Sequence, residues 1–224
     1  MVRHLEADWE FEVGGNAPII DALWPGFVDL RWAPQSEPDH DSLVLTLPET
    51  AQLPSLAATL KKLNAEHSPV WTSKCDFWPA LQAGEFDADE LDAPAGSFAH
   101  AVGCYIDLLP RIDKQPQSDP QPRADRQWKC PDAIASSCRD LCTRLHSIPL
   151  RCCRVDLIVR RAQIAPGQSD MGQLDMGQLD LGQLEMGMTA YITACGPTPP
   201  EAVLTLEAAL AAFADAVCPQ STLQ

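Results

Sequence analysis

A chain of 224 residues with 16 basic and 31 acidic side chains carries a formal net charge of −15, which repels phosphate backbones and anionic headgroups over a Debye length of roughly 8 Å. Nucleic acid and membrane surfaces are therefore excluded as expected partners, and no stretch approaches the roughly 18 continuous apolar residues that a membrane span requires. The length suits one domain, 1–224, large enough to bury roughly 70% of its unfolded surface without disulfide or metal staples.

Nine cysteines are an odd number, and several sit in apolar patterns where a thiol behaves as a small hydrophobe, which predicts reduced thiols in the cytoplasm. The opening "MVRHLEADWEFEVGG" has no apolar core of signal-peptide length. Within it Trp9, Phe11 and Val13 alternate with Asp8, Glu10 and Glu12, the period of a half-buried N-terminal strand that Gly14 and Gly15 end.

"GFVDLRW" (26–32) reads as a second strand, and "SLVLTL" (42–47) is short and ambiguous. From Pro54 the spacing of Leu56, Leu60 and Leu63 is helical and stops ahead of Pro69, which disfavours helical dihedrals in the residue before it. "PVWTSKCDFW" is a strand, 79–97 an acidic connection, and "HAVGCYIDLLP" the next strand. Three prolines among polar residues make 113–123 a loop that cannot pack. Ile134, Cys138, Leu141 and Leu145 form a helical stripe; "LRCCRVDLIVRR" and "MTAYITAC" are strands. In the last element Thr198 and Glu201 resemble a capping box with prolines in the first turn, ahead of a buried stripe of Val203, Leu206, Leu210, Phe213 and Val217.

Two segments rhyme. Asp29 and His67 are 38 residues apart and Asp107 and His146 are 39 apart, with Lys74 and Asp76 matching Arg154 and Asp156. Each half, 26–78 and 98–163, reads as strand, helix, strand. Together they predict an α+β fold: a ferredoxin-like split βαβ sandwich (βαββαβ) with helices on one face, an extra N-terminal strand, and a C-terminal strand plus helix over 188–218.

Strand alternation then sorts the side chains. Cys153, Val155, Leu157 and Val159 fall inward, while Thr72, Lys74, Asp76 and Trp78 fall outward. The helix-free face is expected to display Asp29, Arg31, Lys74, Asp76, Tyr105, Asp107, Arg154 and Asp156, together with Trp78 and Arg160. It is the candidate site of a binding or protein-interaction module whose partner is a protein, a small molecule, or a second copy in a homodimer. The competing expectation is an enzyme in which Asp29, Asp107 or Cys152 reacts and His67 or His146 serves as base.

No cofactor is expected, since the chain contains no GxSxG, HExxH, P-loop or GxGxxG. Cys138, Cys142 and His146 share a helix face, but eight residues span about 12 Å of axis, too far for one zinc ion. "EFDADELD" (85–92) lacks the glycine of a calcium loop. No metal is expected.

Glycine recurs at 167, 172, 177, 182 and 187, a five-residue period that suits neither helix nor strand. This ladder, 167–187, falls between two strands that a short hairpin could join, and reads as a tandem insertion whose central units, 172–186, can be excised with little loss of stability.

Overall fold

The computed structural model describes residues 4–22, 28–31, 40–81, 86–87, 89–93, 98–111, 131–164 and 184–219. Strands β1 (Glu6–Glu12), β2 (Ile20–Ala22), β3 (Val70–Trp78), β4 (His100–Pro110), β5 (Cys153–Ile164) and β6 (Leu184–Gly196) form one mixed sheet. Its order is β1-β5-β6-β4-β3. The pairs β3–β4, β4–β6 and β5–β6 are antiparallel, and β1 and β2 both run parallel to β5 on its outer side.

Among the described residues five helices accompany the sheet: α1 (His40–Val44), α2 (Pro48–Gln52), α3 (Pro54–Leu63), α4 (Pro131–His146) and α5 (Pro199–Val217). α3 packs on β3, α5 on β6 and β4, and α4 on β1, with α5 touching both of the others. These three helices therefore cover one face of the sheet in the order α3, α5, α4. Arg144 Nε donates to the Ala216 carbonyl at 2.9 Å, and Lys62 pairs with Asp215, so both helix contacts are also tied by polar bonds. None of the helices among the described residues is long and apolar enough to cross a membrane.

The core lies between this helical layer and the sheet. Cys153, Val155, Leu157 and Val159 from β5, Ile134, Cys138, Leu141 and Leu145 from α4, and Leu206, Leu210, Phe213 and Val217 from α5 are all buried in one cluster, as their periodicities require. The α5 cap is present: Thr198 Oγ1 accepts from the Glu201 backbone N–H and donates to the Glu201 carboxylate at 2.7 Å.

The expected βαββαβ order is corrected in two places. Residues 28–31, the described part of the expected 26–32 strand, join no strand. The reason is local: Asp29 Oδ1 accepts the Arg31 backbone N–H at 3.0 Å, a side-chain bond that competes with a sheet ladder. Strand β6, expected as an appendage, instead lies between β5 and β4 and pairs with both.

The N-terminal strand is present, and it extends the sheet edge rather than covering a face. The 113–123 loop lies outside the described residues, as does the ladder up to residue 183. The end of the ladder does not: Leu184 opposes Gln163 and Gly187 opposes Arg160, so β5 and β6 are hairpin neighbours on either side of it.

Candidate functional site

Among the described residues the helices leave one face of the sheet uncovered, and cross-strand register sets its side chains in rows. The central row reads Asp76, Tyr105, Tyr191, Asp156, Asp8 across β3, β4, β6, β5 and β1. On one side runs Lys74, Asp107, Thr189, Ile158, Glu10, and on the other Trp78, Gly103, Thr193, Arg154, Glu6. Neighbouring strands lie roughly 4.8 Å apart, so residues opposed in a row can touch.

A β-bulge sets this pattern. The register slips between Thr72 and Lys74, which leaves Ser73 as the extra residue and turns Thr72 inward, contrary to simple alternation. Thr72 is held there by Asn64 at the end of α3: its N–H donates to Asn64 Oδ1 at 2.9 Å and its hydroxyl accepts from Asn64 Nδ2 at 2.7 Å. Lys74, Asp76 and Trp78 then fall on the open face, as expected.

Three aromatic rings form its floor. Trp78 and Tyr105 have centroids 5.5 Å apart, Tyr105 and Tyr191 5.9 Å, and Trp78 and Tyr191 6.4 Å at an interplanar angle of 7°. Trp78 fits because Gly103 lies beneath it: a Cβ there would stand 3.0 Å from the indole.

Charged groups surround the rings. Asp107 is buried and accepts a 2.5 Å hydrogen bond from Thr189 Oγ1. Its burial pushes the carboxyl above the ordinary aspartate range, against the Thr189 bond and the Arg160 and Lys74 charges. Burial also raises Asp156, outweighing the 2.7 Å bond from Arg154 Nε, and the Asp8 and Glu90 charges add to the rise. Tyr105 is raised by burial and by Asp107 and Asp76. Arg160 donates through Nε and Nη2 to Glu12 Oε2 at 2.8 and 2.6 Å, and through Nη1 to Thr189 and Tyr191 at 3.2 Å. Lys74 Nζ stands 6.0 Å from the Tyr105 ring centre and the Arg160 guanidinium 5.7 Å from that of Tyr191.

Both ends of the face are closed by apolar groups. At one, Ile20, Ala22, Trp71, Leu109 and Ala162 cluster, and Ser73 Oγ donates to the Asp21 carbonyl at 2.7 Å, tying β2 toward β3. Gly187 belongs to this wall: a Cβ would stand 2.9 Å from Ile20 Cδ1 and 3.0 Å from Leu109 Cδ2. At the other end Leu91 and Ala93 from the acidic connection pack on Ala101 and Cys195. Between the walls, a hollow of about 180 Å³ is lined by Asp8, Trp9, Glu10, Arg154, Asp156 and Ile158.

Six of the eight expected face residues come together here: Lys74, Asp76, Tyr105, Asp107, Arg154 and Asp156. Asp29 and Arg31 do not. They bind each other, Arg31 Nε to Asp29 Oδ1 at 2.8 Å, with the Arg31 guanidinium 4.9 Å over Trp71. Burial raises Asp29, but the Arg31 hydrogen bonds and charge win and hold it below the ordinary range. Tyr191, Thr189 and Thr193 were absent from the expected set, although alternation through "MTAYITAC" places all three on one face.

The residues proposed for catalysis are scattered. The His67 side chain is 92% exposed beside Glu66. His146, at the end of α4, accepts the Ala7 N–H on Nε2 at 3.1 Å. Cys152 adopts a φ of 61° beneath the Leu91 cluster, and its cross-strand neighbour Cys195 is pushed up to about 12 by burial. Among the described residues, no group of three or more His, Cys, Asp or Glu is placed to hold a metal ion.

Comparison of the chain with protein-family models, with curated proteins and with solved structures found no match. The functional reading therefore rests on the geometry of this face.

Proposed function

We propose that the protein is a binding module and that the helix-free sheet face is its recognition surface. One observation carries the reading: Trp78, Tyr105 and Tyr191 gather at the centre of a face that the helices leave open, walled at both ends and flanked by carboxylates. Trp and Tyr are enriched where proteins contact partners, so a half-exposed trio of them with convergent polar groups supports a contact surface. Ion pairing alone would not assemble it, because cross-strand pairs on a solvated sheet stabilise by only ~0.2–1 kcal/mol each and require no aromatic floor.

The enzyme reading receives less support, because the two histidines expected as bases are engaged elsewhere, His67 exposed beside Glu66 and His146 on the Ala7 N–H. A cytoplasmic setting is part of the proposal and rests on the cysteine pattern of the sequence.

A thermal-shift screen across amines, sugars, nucleotides and peptides tests the surface. Compounds that raise the melting temperature of the parent are expected to lose that effect in a Tyr105→Leu/Tyr191→Leu variant and to keep it in Asp140→Asn, on the exposed side of α4. Shifts of equal size in all three proteins would remove the face as the binding surface. Sizing of the parent and the tyrosine variant separates the homodimer form: a dimer that the tyrosine change dissolves makes the partner a second copy.

A further inference from the structure

We infer that the ligand of this face is a small linear polyamine, with ammonium groups at the two carboxylate ends of the central row and methylenes across the two tyrosine rings. The inference rests on the recognition reading above and specifies the chemistry of the partner.

Charge at the two ends favours a cation. At the β3 end, Asp76 and Asp107 have Lys74 between them in the register, and Arg160, whose charge also reaches Asp107, is already paired with Glu12 at 2.6 Å. At the other, Asp156 and Asp8 face one cation, Arg154, which bonds Asp156 at 2.7 Å and stands 3.9 Å from Asp8, and the Glu90 charge also reaches Asp156. Among the described residues carboxylates outnumber cations at both ends, so an anion would be repelled and a neutral ligand would leave the excess uncompensated.

The middle of the row has the opposite character. Tyr105 and Tyr191 lie between the two ends, centroids 5.9 Å apart, and present ring surface that suits methylenes or an intervening ammonium. The protein already places cations of its own near both rings, Lys74 at 6.0 Å and Arg160 at 5.7 Å. Asp76 and Asp156 are three strand spacings apart, roughly 14 Å, which an extended triamine can bridge.

One end is also hollow. The cavity of about 180 Å³ beside Asp8, Asp156 and Arg154 is several times the roughly 30 Å³ share of one water, enough for an aminoalkyl terminus. Charge, apolar floor, charge and hollow follow one another along a single row, and a linear polyamine repeats that order.

Titration calorimetry of the full chain with spermidine is the test. Saturable binding at one site is expected. Asp76→Asn/Asp156→Asn should weaken it at least about tenfold, the loss of one charge-assisted hydrogen bond or more. Asp140→Asn/Glu66→Gln, which removes the same charge from exposed positions elsewhere, should change it less than about twofold. Circular dichroism melts of both variants confirm that each is folded; if the aspartate pair fails to fold, Tyr191→Leu takes its place with the same expected loss.

Equal weakening by both charge pairs would reduce the effect to bulk attraction and overturn the site. Equal binding of 1,8-octanediol would overturn the role of charge, and absence of saturable spermidine binding would overturn the inference outright. Should other compounds still give thermal shifts that depend on Tyr105 and Tyr191, the recognition reading survives the loss of the polyamine.

Discussion

Strand β5 presents two surfaces one residue apart. Val155, Leu157 and Val159 are fully buried beneath the helices, while Arg154, Asp156, Ile158 and Arg160, in alternation with them, stay half-buried on the open side. The inward set could be exchanged among aliphatic residues at modest cost. Each charged member of the outward set makes a specific bond, Arg154 to Asp156 and Arg160 to Glu12, Thr189 and Tyr191. One face supplies stability through area, and the other holds particular groups in particular places, which is what recognition needs.

The difference should show first in stability. Leu157→Ala is expected to lower the unfolding free energy in urea by about 3 kcal/mol, whereas Ile158→Ala, its outward neighbour, should cost about 1 kcal/mol. Equal losses would mean that the open face is as much a packed core as the covered one. Gly187→Ala should cost about 1–3 kcal/mol, because the new methyl meets Ile20, Leu109 and the Leu108 carbonyl; an unchanged melt would show that the β2 wall yields freely.

Asp107 gives a smaller effect with a defined sign. Its carboxyl is raised in the folded chain, so its favourable contribution is fully present below the ordinary aspartate value and is lost as pH rises through the elevated one. Asp107→Asn keeps an acceptor for Thr189 without the buried charge. The variant should equal or exceed the parent in stability at neutral pH, with the gap closing below about pH 4. A parent more stable than the variant at neutral pH would reverse the assignment.

The smallest change is expected from the ladder. Removing 172–181, two whole units, leaves intact the paired stretch of β6 from Leu184 onward, and loop closure over so modest a change in length is worth only about 0.6 kcal/mol. A large fall in melting temperature would give those repeats a structural role. The longer excision, 172–186, reaches into β6 and would replace Leu184, Glu185 and Met186 by Ser169, Asp170 and Met171, so the shorter one is the cleaner measurement.

What the sequence made legible was whatever depends on short spacings. The α4 and α5 stripes, the Thr198 cap and the inward set of β5 follow from periods that no distant contact alters. Three features depend on partners far along the chain and were not legible. Ser73 is bulged because Asn64, at the end of α3, takes hold of Thr72, and that turned Thr72 inward. β6 lies between β5 and β4 by long-range pairing that alternation cannot rank. Residues 28–31 imitate a strand in pattern, but the Asp29 side chain occupies the Arg31 N–H, which moved two expected face residues to another place. The six that did assemble lie on β3, β4 and β5, strands whose outward phase was read correctly from residue 74 onward.

Side-chain methyl NMR during titration with the strongest compound from the thermal-shift screen tests the central claim most directly. Ile158, Thr189 and Thr193 carry methyls on the open face, and Ile106, Leu157 and Ile192 carry them on the covered one. Shifts concentrated at Ile158, Thr189 and Thr193, with the other three nearly still, are the predicted result. Shifts concentrated on the covered set, or none on the open face at saturation, would contradict a recognition surface there.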